Sequence, residues 1–210
     1  PRPRKGMESK GDSLAKEGGG CSPTTSIGDI GGWGGFTDFT QDPRRGWGCS
    51  MSAPLQLRAY QAGALDRLRS ALARGNRRVM LYSPTGSGKT ETAFGMIHGA
   101  LAKGVRVAFI ANRKELVHQA SRRLTRSGIA HGILQADNTR SLDARVLVCS
   151  IDTVHLRGLP DDIALIIIDE AHAVAGSTKY RELLFKLNRV PVVGLTATPF
   201  SPGLGKHYDE

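Results

Sequence analysis

The chain has 210 residues and 29 Lys plus Arg against 19 Asp plus Glu, giving a net charge of +10 and a pI near 10. No apolar run approaches the roughly 18 residues that a membrane-spanning helix needs, and Cys21, Cys49 and Cys149 lie too far apart for a C-x-x-C metal knuckle or a disulfide framework. The basic balance favours a polyanion as partner, and the reducing cytoplasm is the expected compartment.

Residues 1–50 hold 12 of the 26 glycines and few large apolar side chains. Such a segment has too little to bury to offset its chain entropy, so it is expected to be disordered. Its basic start, from Pro1 to Lys10, is not followed by an apolar stretch and does not read as a secretory signal. Met51 stands where ordered-looking sequence begins, and one expectation is that it is a natural start. The domain is expected over residues 51–210, where nearly all of the excess positive charge falls.

Within that domain the pattern predicts a helix over 57–73, with Leu65, Leu68 and Leu72 on one face. A short apolar strand over 77–83 follows and runs into a glycine-rich turn. Further elements are a helix over 90–102, a strand over 105–111 and a helix over 113–127 that turns Leu116, Val117, Ala120 and Leu124 inward. Strands over 145–150 and 164–169, a helix over 181–188 and a strand over 192–196 complete the series. Apolar strands alternating with amphipathic helices predict an open α/β domain, its mostly parallel sheet covered on both faces. Its ligand is expected beyond the C-terminal ends of the strands.

The turn Ser83-Pro84-Thr85-Gly86-Ser87-Gly88-Lys89-Thr90 matches G-x-x-x-x-G-K-[ST] except at Ser83. Gly86 and Gly88 let the backbone fold so that its N–H groups, with those of Ser87 and the following helix start, cradle phosphate oxygens. Lys89 reaches the outer phosphates and the Thr90 hydroxyl is a candidate Mg²⁺ ligand. The spacing indicates a nucleoside triphosphate and leaves the reaction open. Eighty residues after Lys89, the apolar run Ile166-Ile167-Ile168 ends in Asp169-Glu170. Asp169 is the candidate second Mg²⁺ ligand, and Glu170 the candidate base for an attacking water. His172, two positions on, is read as a coupling residue.

Asp169-Glu170-Ala171-His172 resembles the DEAH box. With the phosphate loop and Thr196-Ala197-Thr198-Pro199, the text looks like the first RecA-like domain of a superfamily-two helicase or translocase, over about residues 55–205. It is most similar to the branch of type III restriction subunits, excision-repair helicases and phage helicases, whose opening signature Leu57-Arg58-Ala59-Tyr60-Gln61 resembles. The resemblance implies ATP and Mg²⁺ as ligands and DNA, ahead of RNA, as the track. It implies that Gln61 reads the adenine edge with Arg58 and Tyr60 beside the base, and that Thr196 and Thr198 link nucleotide state to nucleic-acid grip. Hydroxyls at that strand end can bond Glu170 or His172 if neighbouring strands align them.

Asn112 and Arg113, at a strand end and helix start, resemble the family's first nucleic-acid contact, and Ser150 and Thr153 the second. Asp152, which repels phosphate, is expected to cap the following turn. Contacts to backbone phosphate carry no base code, so binding is expected to be sequence-independent and salt-sensitive. Arg122, Arg123 and Arg126 read as a solvated face. The resemblance further implies a second RecA-like domain, in cis or in trans, carrying an arginine finger worth roughly 10³–10⁵ in rate. No Q-x-x-G-R-x-x-R-like text occurs in these 210 residues, so slow hydrolysis by the chain alone is expected. A non-catalytic module that binds nucleotide or nucleic acid and regulates a partner helicase is the alternative.

Overall fold

The structure, a computed structural model, describes residues 56–198 and 206–209. The expectations for residues 1–50, for Met51 and for Pro199 lie outside that range. The elements run α1 (Ala59–Ala73), β1 (Arg78–Tyr82), α2 (Lys89–Ala102), β2 (Arg106–Ala111), α3 (Lys114–Arg126) and β3 (Gly132–Leu134). They continue with β4 (Val146–Ser150), α4 (Ile151–Arg157), β5 (Ile163–Ile168), a 3₁₀ turn (Ala171–Gly176), α5 (Thr178–Lys186) and β6 (Val192–Thr196). The six strands form one sheet in the order β1-β6-β5-β2-β4-β3, and every neighbouring pair is parallel. This is the open parallel α/β sheet that the apolar strands predict.

Successive side chains of a strand face opposite sides, and the central strands feed two separate cores. Val107, Phe109, Val146, Val148, Leu165 and Ile167 point one way, onto α1, α2 and α3. Ala108, Ile110, Leu147, Cys149, Ile166 and Ile168 point the other way, onto α4 and α5. An alternating polar/apolar strand would expose one of these faces to water. A continuous apolar run such as Ile166-Ile167-Ile168 needs both covered, and each isoleucine buried contributes about 1.5–3 kcal/mol. No helix among the described residues is long and apolar enough to cross a membrane.

Over β1 and β6 the α4/α5 face is closed by the chain's last described residues. The hydroxyl end of the Tyr208 ring lies against Gly194, where a Cβ would collide with it, and Tyr208 packs with Ala171 and Met80. Asp209 holds the segment down. Its carboxylate accepts the backbone N–H groups of Arg77 and Arg78, each at 2.9 Å, and its own N–H donates to Arg78 O at 2.7 Å.

Three details differ from the sequence expectations. Residues 151–157 are a helix rather than a turn. The next helix begins at Thr178, three residues before Arg181. The strand β3 was not anticipated, because its three residues are too few to show a period.

Candidate active site

Because all strands are parallel, β1, β6 and β5 end on the same edge. The register sets Tyr82 beside Thr196 and Ile168 beside Gly194, and Ser83 N–H donates to Thr196 O at 3.0 Å. The phosphate loop, the Thr196 strand end and the Asp169-Glu170 pair therefore stand in a row at one sheet edge, with β6 in the middle.

The loop turns through Gly86 at φ 81° and Gly88 at φ 79°, left-handed values that only glycine adopts without strain. Helix α2 then starts at Lys89, and Glu91 and Thr92 N–H donate to Gly88 O. Ser83, the departure from the motif, has a use here. Its hydroxyl meets that of Ser87 at 2.5 Å across the loop, a link that glycine could not form. Lys89 Nζ donates to Ser83 O at 3.2 Å, so its ammonium lies over the concave side of the turn. From α1, Tyr60 and Gln61 both donate to Ser87 O, at 2.7 and 3.1 Å. In this structure the carboxamide of Gln61 is engaged with backbone, and the residue is buried.

Asp169 sits at the end of β5, its N–H bound to Ile110 O and its Oδ1 accepting Glu170 N–H at 3.0 Å. Burial pushes its carboxyl above the usual carboxylate range, and the neighbouring Glu170 charge adds to this. The cations Lys89 and Arg123 oppose it. Lys89 is thus among the charges that Asp169 feels, with burial the larger effect. Glu170 occupies a left-handed backbone at φ 52°, and a carboxylate oxygen lies 3.2 Å from His172 Nδ1.

His172 Nδ1 is also 3.3 Å from Thr196 Oγ1. Thr196 donates its one hydroxyl proton to Thr198 O at 3.2 Å, so toward His172 it can only accept, which makes Nδ1 the protonated nitrogen. Strand alignment thus brings His172, Glu170, Thr196 and Thr198 into one network.

Among the described residues no group of three or more His, Cys, Asp or Glu could hold a metal by itself. Thr90 and Asp169 offer one hydroxyl and one carboxylate. That donor set suits Mg²⁺, which keeps water and takes phosphate oxygens as its other ligands. The donor set of Thr90 and Asp169 fits a Mg²⁺ ion that shares its coordination with phosphate oxygens.

The expected nucleic-acid contacts divide. Asn112 and Arg113 are exposed at the start of α3, with Arg113 as its N-cap. Ser150 and Thr153 are instead buried. Their hydroxyls meet at 2.9 Å, and Ser150 Oγ accepts Thr153 N–H at 3.3 Å. Ser150 is therefore the cap of α4, a role expected of Asp152, while Asp152 pairs with Lys179 of α5. Sequence reading also missed Arg123. It lies 3.8 Å from Glu91 and near enough to Asp169 to lower its affinity for a proton. Its nearness to Glu91 and Asp169 comes from the packing of α3 and not from sequence neighbourhood, so it left no signal.

The sequence model of the type III restriction enzyme res subunit family matches residues 54–201. The chain is 31% identical over 159 residues to the type I restriction enzyme EcoAI endonuclease subunit of Escherichia coli, covering 68% of this chain and 19% of that protein. It is 30% identical over 173 residues to the putative mitochondrial ATP-dependent helicase irc3 of Schizosaccharomyces pombe, covering 75% of this chain and 28% of that one. The fold matches the Hef helicase domain of Pyrococcus furiosus with a TM-score of 0.61 and 25% identity, over 74% of this chain and 38% of that chain. The chain thus spans from just under a fifth to just over a quarter of the length of these curated relatives.

Proposed function

Since the chain belongs to the family of the type III restriction enzyme res subunit, we propose that it is the ATP-binding motor domain of a DNA helicase or translocase, hydrolysing ATP to move along nucleic acid. The fold is the RecA-like domain of superfamily-two helicases. One observation carries the finer reading: a phosphate loop ending in Lys89 and the carboxylates of Asp169 and Glu170 share one edge of a parallel sheet, separated by a single strand.

The proposed chemistry is in-line attack of water on the outer phosphate of ATP. Gly86, Ser87 and Gly88 supply the turn and N–H groups that hold the phosphates, and Lys89 offsets the charge that develops on them. Mg²⁺, held by Thr90 and Asp169, would supply further neutralisation of phosphate charge when bound. Glu170 orients the attacking water and accepts its proton. His172, Thr196 and Thr198 connect Glu170 to the β6 strand end, so a change of grip on nucleic acid can reach the base. Asn112 and Arg113 are the proposed contacts to backbone phosphate, without base code. We take DNA ahead of RNA because the family and one relative bear restriction-enzyme names. A second RecA-like domain, in cis or in trans, would complete the cleft, and the setting is taken as the reducing cytoplasm.

The test is phosphate release from Mg·ATP with and without DNA, for the chain combined with a second RecA-like domain. DNA-stimulated release that disappears in Lys89→Ala supports the motor. DNA binding that persists with no release in any combination supports the non-catalytic module.

A further inference from the structure

Helices α4 and α5 lie side by side on one face of the sheet and are joined by two polar rungs. Lys179 meets Asp152 at 2.5 Å, and His155 Nδ1 lies 3.6 Å from Glu182. From one rung to the next both helices advance three residues, so they run in the same direction. Their inner sides carry Ile151, Thr153 and Val154 on α4 and Tyr180, Leu183 and Leu184 on α5, all buried.

The outer side of such a helix pair is ordinarily polar along its length. Here it ends in two apolar side chains. Leu156 follows Asp152 by four residues and Phe185 follows Glu182 by three, spacings that keep each on the outward stripe of its helix. Leu156 is 81% exposed and Phe185 79%. A lone exposed apolar residue needs no explanation. These, however, are the two most exposed large apolar side chains among the described residues, and they stand on neighbouring helices.

Phe185 also lines a groove of about 390 Å³ with Thr178, Arg181, Glu182 and Lys186. The charge of that groove is positive. Glu182 faces His155, and Arg181 Nη2 donates to the Thr178 hydroxyl at 3.4 Å. Among the described residues no carboxylate pairs with Arg181 or Lys186. The groove lies away from the proposed nucleotide edge. The last turn of α5 is tied to the beginning of β1, where Arg78 Nη2 donates to Leu184 O at 2.9 Å. Parallel strands begin on the edge opposite to the one where Lys89 and Asp169 stand.

Charge and shape select the occupant. A two-fold contact with a second copy would set Arg181 and Lys186 against their own counterparts, in a chain of net charge +10. A bilayer is met by a protruding apolar face, whereas this face is a groove. A helix with an apolar stripe flanked by Asp and Glu matches both the apolar side chains and the cations. We propose that the outer side of α4 and α5 docks an acidic amphipathic helix of a partner protein. Phe185 and Leu156 are its apolar anchors, and Arg181 and Lys186 select its negative charge.

The probe is a helical peptide of about five turns, roughly 18 residues, with leucines at i, i+3, i+4 and i+7 and glutamates beside them. It is titrated by fluorescence anisotropy against the full chain. Phe185→Ala should weaken binding by about 10–100-fold, the range for withdrawing one buried aromatic side chain, and Leu156→Ala should weaken it in the same direction. Arg181→Glu combined with Lys186→Glu should weaken the acidic peptide by about 3–30-fold and admit a version with lysine in place of glutamate. All four side chains are exposed, so the variants should melt with the parent. No binding of the acidic peptide by the unaltered chain would overturn the proposal. So would binding that survives Phe185→Ala, or equal binding of a peptide with the same residues in scrambled order. Association of the chain with itself, or with vesicles of phosphatidylcholine and phosphatidylserine, that Phe185→Ala abolishes would assign the face to a second copy or to a bilayer and overturn it as well.

Discussion

His172 Nδ1 stands 3.3 Å from the Thr196 hydroxyl and 3.2 Å from a Glu170 carboxylate oxygen. One ring nitrogen thereby joins the end of β6 to the proposed base. Because Thr196 gives its proton to Thr198 O, the single Nδ1–H of the histidine is shared between the Thr196 oxygen and the Glu170 carboxylate. His172 meets Thr196 and Glu170 rather than the phosphate loop, so His172→Ala should leave Mg·ATP affinity within about twofold. Loss of the group that orients Glu170 should slow phosphate release by roughly tenfold, below the range for losing a general base outright. Single-turnover phosphate release and a binding titration separate the two effects.

Glu170 pays for its place with a left-handed backbone at φ 52°, a conformation that costs a non-glycine residue on the order of 1 kcal/mol or more. Glu170→Gly should remove that strain while adding freedom to the unfolded chain, which costs about 0.4–1 kcal/mol. The two nearly cancel. Thermal unfolding should therefore stay within about 2 °C of the parent, since about 1 kcal/mol shifts Tm by 2–4 °C at this size, while phosphate release falls to background. A Glu-to-Gly change inside an ordinary helix would lower Tm instead.

Gly194 has the Tyr208 ring where its side chain would be. Gly194→Ala should expel the ring or strain it, lowering stability by about 1–3 kcal/mol. Tyr208→Ala should also destabilise, by opening the β1/β6 face. The double variant should lose less than the sum, because the two changes share one contact. Urea unfolding of the four proteins gives the comparison.

Cys149 is fully buried on β4, and burial pushes its thiol up to about 12. The thiolate is the reactive form, so at neutral pH this cysteine should resist maleimide in the folded chain and react once the chain is unfolded. Labelling is best read in a variant with Cys21→Ser and Cys49→Ser. Raising the pH alone, short of unfolding, should produce little labelling.

The sequence made some of this legible and concealed the rest for physical reasons. Ile166-Ile167-Ile168 announces a strand buried on both faces, and carboxylates placed directly after it must lie at a strand end. The Gly-Lys-Thr turn is equally local. The meeting of His172 with Thr196 could be foreseen as a possibility, since both follow apolar strands, but strand order had to make those strands neighbours. Strand β3 depends on pairing with β4 and on the bridge from Ile133 to Arg140, not on its own three residues. Ser150 and Thr153 looked like donors at a strand end, yet the helix that begins at Ile151 uses both hydroxyls for its own start. The hydrogen bonds from Tyr60 and Gln61 to Ser87 O span 27 and 26 residues, a distance over which no local pattern speaks.

The central claim is that Lys89 and Asp169 act on one magnesium-bound triphosphate. Calorimetric titration of Mg·ATP into the parent chain, Lys89→Ala, Asp169→Asn and the double variant tests it most directly. Groups sharing one ligand are coupled, so the loss in the double variant should fall short of the sum of the single losses by about 1 kcal/mol or more. Losses that add within about 0.3–0.5 kcal/mol would mean two independent sites and would contradict the account.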